Sequence, residues 1–101
     1  MSIYWKHPKD PDEEIVLTVD FSQELETGET LSGTPTVTIT SPDDATPAIT
    51  NGSASISGDG VLVPVKDGLN GATYFIKVVC ETSTTGKVLS ITGGLRVRKG
   101  S

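Results

Sequence analysis

The chain has 101 residues, 35% of them hydrophobic, which leaves room for one domain around one small core. Ser and Thr make 24 residues beside 11 Gly and 6 Pro, a mix that disfavours a helical bundle and favours strands joined by turns. A net charge of −5 argues against nucleic-acid binding, and a single Cys excludes an internal disulfide framework. No apolar run approaches the roughly 20 residues of a membrane-spanning helix, so no membrane partner is expected.

Residues 1–13 carry Pro8 and Pro11 and are expected to form an N-terminal arm that cannot join a sheet as a regular central strand. The arm has no apolar stretch of the kind that marks a secretory signal. Residues 14–99 are expected to form a single domain. From Glu14 to Phe21 the chain alternates, with Ile15, Leu17, Val19 and Phe21 on the face predicted to be buried. Residues 22–29 interrupt it, and one helical turn ending near Gly28 is expected there. Thr34 to Thr40 alternates again, with Val37 and Ile39 inward. The stretch through Asn51-Gly52 reads as loop or short edge strand, because Pro47 cannot donate to a ladder. Short strands follow at 54–57 and 60–66, and Pro64 points the second to an edge position. Tyr74 to Glu81 is the most strand-like segment, with Tyr74, Ile76, Val78 and Cys80 on one side. Ser83-Thr84-Thr85-Gly86 predicts a hairpin turn, and a return strand follows, broken by a bulge or bend at Gly93-Gly94.

About seven short strands with turns every 8 to 12 residues predict an all-β, immunoglobulin-like antiparallel β-sandwich, with a small β-barrel as the alternative. Leu69-Asn70-Gly71-Ala72-Thr73-Tyr74 resembles a tyrosine corner, in which the phenol closes onto a backbone group a few residues upstream.

Catalytic chemistry is sparse. The only His is His7, and the only thiol is Cys80, whose inward phase marks a small buried hydrophobe. Asp43-Asp44 and Asp59-Gly60 lack the spacing of a calcium loop, and the Asp12-Glu13-Glu14 run suits a solvated surface. No enzyme activity and no cofactor or metal is expected. An internal Lys–Asn isopeptide bond would need a buried lysine such as Lys77, an acid such as Asp20 and one of Asn51 or Asn70, both in predicted turns.

Charge is informative by position. Residues 1–50 hold two lysines against ten acids, and residues 51–101 hold six basic against three acidic side chains. Either the first and last strands are neighbours and neutralise each other, or the molecule docks acid end to basic end on a partner. Candidate interface residues are Tyr4 and Trp5 on the arm, with Arg96 and Arg98 near the C-terminus. The two aromatics are costly to leave in water, so they either cover their own sandwich or anchor on a neighbour.

The motif order carries a resemblance. Lys9-Asp10-Pro11-Asp12-Glu13, the strand end Val19-Asp20-Phe21-Ser22, then Leu25 and Gly28-Glu29-Thr30-Leu31 open the chain. Gly71-Ala72-Thr73-Tyr74, Thr82, Gly86 and the closing Leu95 to Arg98 complete the pattern. Across residues 9–98 this is similar to a group of small immunoglobulin-like virion or head–tail proteins of tailed bacteriophages, departing from it at Phe21 and between Pro42 and Ser57. The resemblance implies a non-enzymatic phage structural protein, acting in virion assembly or decoration through protein–protein contacts. It further implies copies of itself and other phage structural proteins as partners, and residence in the virion after synthesis in the host cytoplasm. The alternative is a carbohydrate or cell-surface binding module of a phage fibre or bacterial adhesin.

Overall fold

In the computed structural model, which describes residues 2–5, 8–44 and 49–99, every regular element is a strand. In chain order these are β1 (Ser2–Tyr4), β2 (Glu14–Asp20), β3 (Leu31–Thr40), β4 (Thr50–Asn51), β5 (Ser55–Ser57), β6 (Gly60–Lys66), β7 (Thr73–Thr82) and β8 (Val88–Arg96). One four-stranded sheet runs β1-β8-β7-β3. In the other, β6 lies between β2 and the two short strands β4 and β5, which follow one another along its far edge. All pairs are antiparallel except β1, which runs parallel to β8. Among the described residues no ladder joins one sheet to the other, so the fold is a β-sandwich and not a closed barrel.

The core is where the inward rows meet. On β2 and β6, Ile15 faces Val65, Leu17 faces Val63 and Val19 faces Val61 across the ladder. On the opposite sheet Val78 lies between Val37 and Ile91, and Tyr74 pairs with Leu95. All of these are buried except Ile15 and Val37, which are half-buried at the margin. Each fully buried aliphatic side chain contributes about 1.5–3 kcal/mol, which explains why alternation decides these elements. The hairpin after β7 turns through Gly86, at φ 82° in the left-handed region.

Three expectations are corrected. Residues 22–29 hold no helical turn; Glu24 N–H donates to the Phe21 carbonyl and Glu29 N–H to the Glu26 carbonyl, giving separate tight turns. Pro64 is not on an edge strand, for β6 is paired on both sides. Its carbonyl accepts from Gly52 N–H at 2.8 Å, so its missing donor falls in the gap between β4 and β5. Gly93-Gly94 does not break β8, whose register with β7 runs unshifted from Val88 to Arg96. The irregularity lies instead in β3, between Ser32 and Thr36. Lys77 is exposed on β7, in the sheet opposite Asp20, so it cannot supply the buried amine of an isopeptide bond. Pro47 and His7 lie outside the described residues.

Candidate interaction surface

The four candidate interface residues lie along one flank. β1 pairs Ser2, Ile3 and Tyr4 with Thr92, Gly93 and Gly94, and Trp5 N–H donates to the Gly94 carbonyl at 3.1 Å. The side chain of Tyr4 lies outside the described residues. Trp5 is half-buried and packs against the core of its own chain, with its indole N–H 3.4 Å from the Thr18 carbonyl of β2 in the other sheet. A methyl group at Gly93 would collide with its ring, so the glycine is the recess that admits the indole. Arg96 closes β8 and is exposed, as is Arg98 two residues on. Their backbones flank the arm: Lys9 N–H donates to the Arg96 carbonyl and Arg98 N–H to the Lys9 carbonyl, each at 2.8 Å. First and last segments are therefore neighbours, with Lys9 held between Arg96 and Arg98.

Sequence reasoning missed two buried charges inside the quoted motifs. Lys9 is fully buried, and its Nζ donates to the Asp10 and Asp67 carbonyls, both at 2.8 Å. Desolvation pulls its pKa below the usual lysine value, opposed by the carboxylates of Glu13, Asp67, Asp10 and Asp12. Asp67, at φ 64°, is the one described non-glycine residue in the left-handed region, and its carbonyl serves this lysine. The acid run beside it caps its own turn, since Asp10 N–H donates to Glu13 Oε1 and Asp12 N–H to Asp10 Oδ1. At the opposite end Glu29 is buried and accepts from Lys87 Nζ at 2.7 Å, from Thr84 Oγ1 at 2.5 Å and from Glu26 N–H at 3.1 Å. These bonds hold its pKa down to about 2.

The tyrosine corner is present: Tyr74 hydroxyl accepts from Leu69 N–H at 2.9 Å and donates to Asp44 Oδ2 at 2.7 Å. Asp43 Oδ2 accepts from Thr73 N–H, so the Asp43-Asp44 pair ties a loop to β7. Cys80 is buried, and burial raises its thiol pKa, which keeps it protonated and poorly nucleophilic. Among the described residues no group of three or more His, Cys, Asp or Glu side chains is arranged to hold a metal. A shallow groove of about 500 Å³ crosses the outer face of the β2–β6 sheet, floored by exposed Val16 and by Pro64 and bounded by Glu14 and Lys66.

Residues 9–93 match the family model described as Podophage GP4 fiber-tail adaptor protein gp77. No curated protein matches the chain. The match spans most of the sequence and both motifs that bury a charge, and the chain belongs to this family of phage structural proteins.

Proposed function

We propose that the protein joins a tail fibre to the tail of a podophage particle, acting through protein–protein contacts and without catalysis. The family match over residues 9–93 carries this reading. The fold supports it in two ways. A β2-β6-β4/β5 sheet facing a β8-β7-β3 sheet follows the B-E-D and C-F-G order of an immunoglobulin-like sandwich, with β1 added beside the last strand. Buried charges at both ends then tie loops to distant segments, Lys9 to the loop at Asp67 and Glu29 to Lys87, which suits a module held between larger parts.

The carbohydrate-binding alternative lacks support from the aromatics. Among the described side chains Phe21 and Tyr74 are buried, Phe75 is half-buried and Trp5 packs on its own core, so these four offer few stacking platforms.

Self-association belongs to the same reading, since virion proteins close their sheet edges in symmetric assemblies. The test is a phage with the gene deleted. Particles with complete tails and no fibres, restored by adding the purified protein, are expected. Fibre-bearing particles formed in its absence would overturn the adaptor role.

A further inference from the structure

Register sets out the outer face of the β2–β6 sheet in rows. Glu14 stands beside Lys66, Val16 beside Pro64 and Thr18 beside Leu62, and these side chains point away from the core. Across β6, Thr50 flanks Lys66 and Ser55 flanks Leu62, while the Val16–Pro64 row ends in the gap between β4 and β5. Gly52 lies in that gap, and a methyl group on it would rest 3.4 Å from Pro64 Cβ. Without one, the proline ring stays half-exposed next to Val16, which is 59% exposed. The charged residues lining this groove are one acid and one base, Glu14 and Lys66. Both are exposed, and neither is ion-paired with a described residue, the one such pair being Lys87 with Glu29.

Resting on the self-association in the proposed function, we infer that this groove is a two-fold contact whose occupant is the same groove of a second copy. An acid and a base side by side on neighbouring strands, ahead of an apolar row, favour neither an acidic nor a basic partner. They complement the same face turned over. A two-fold axis running between β2 and β6, parallel to the strands, exchanges the members of every register pair. It sets each copy's Glu14 on the other's Lys66, each Val16 on the other's open Pro64 and each Thr18 on the other's Leu62. An axis along β6 would instead set Lys66 on Lys66, so the charges select the first arrangement. β2 and β6, at seven residues each, run about 23 Å, and three strand widths span about 14 Å. That face is smaller than the roughly 800 Å² each partner buries in a stable complex. The contact is therefore weak between isolated copies and gains from copies held side by side in a particle.

The full chain is followed by sedimentation equilibrium from micromolar to millimolar concentration at low salt. The unmodified protein is expected to dimerise towards the millimolar end. Glu14→Lys and Lys66→Glu should each stay monomeric over that range, because each gives the groove charges of one sign. Mixing the two variants in equal amounts, or combining both substitutions in one chain, should restore the dimer, because acid again meets base across the axis. Val16→Asp places an unpartnered charge on the apolar row and should weaken association more than about tenfold, a second readout that needs no charge reversal. All three positions are exposed, so every variant should keep a cooperative melt. Single variants that dimerise as the unmodified protein does overturn the inference, leaving self-association to another surface and the groove to a different kind of partner. So do charge variants that stay monomeric when mixed and when combined, since Glu14 then does not meet Lys66 across an axis. Unmodified protein that remains monomeric at millimolar concentration removes self-association from the proposed function, and this contact with it.

Discussion

The two ends of the sandwich solve one problem in different ways. Each buries a charged side chain that joins segments far apart in sequence: Lys9 to the loop at Asp67, and Glu29 to the β7–β8 hairpin at Thr84 and Lys87. At the first end a cation is solvated by two backbone carbonyls, and the Tyr74 corner and the Asp43-Asp44 loop close the same region. At the second an anion is met by a lysine whose side chain is 30% exposed. The buried ammonium, held by fixed carbonyl dipoles, is screened less by salt than a pair reached by water, though carboxylates act on it too. The first end is therefore the structural lock, and the second is the one more open to salt.

That contrast breaks first at Lys9. Lys9→Ala removes two charge-assisted bonds and opens a cavity, and should cost about 2–4 kcal/mol in chemical denaturation. An unchanged midpoint would show that the two carbonyls rehydrate freely and that the lock is not one. Tyr74→Phe, at the same end, deletes a hydroxyl with a bond in each direction and should cost about 1–1.5 kcal/mol. No loss would reduce Tyr74 to plain core.

The Glu29 end is tested with pH and salt. Its folded pKa, near 2, lies below the ordinary 4.5, so its contribution is complete above the unfolded value and drains away as pH falls from about 4.5 towards 2. Lys9 works in the opposite sense. Burial lowers its pKa, so the unfolded chain holds the proton more tightly, and stability rises with pH on approach to 10.5 from the lowered folded value. Thermal melts across both windows should show an acid loss that Glu29→Gln flattens, and an alkaline gain absent from Lys9→Met. Raising salt should lower the melting point of the native protein but not that of the Lys87→Met variant, whose ion pair is already gone. Smallest of all, Val16→Thr on the exposed outer face should shift stability by less than about 0.5 kcal/mol.

What the sequence could determine by itself is what is local. Period-two alternation places Leu17, Val19, Val61, Val63, Ile76 and Val78 in the core, because neighbours along a strand point to opposite faces whatever else the chain does. The hairpin at Gly86 and the corner from Leu69 to Tyr74 are equally legible, each closing within five or six residues. Only the tertiary structure decided the rest. The lysine of the Lys9-Asp10-Pro11-Asp12-Glu13 motif reads as one more surface charge until the loop at Asp67, 58 residues on, brings a carbonyl to it. Pro64 reads as an edge residue until β4 and β5 leave a gap opposite its missing donor. Gly93 reads as a break in a strand until Trp5 arrives from the other end of the chain to fill its place. In each case the residue answers to a partner that only folding supplies, and no periodicity along the chain encodes where that partner will stand.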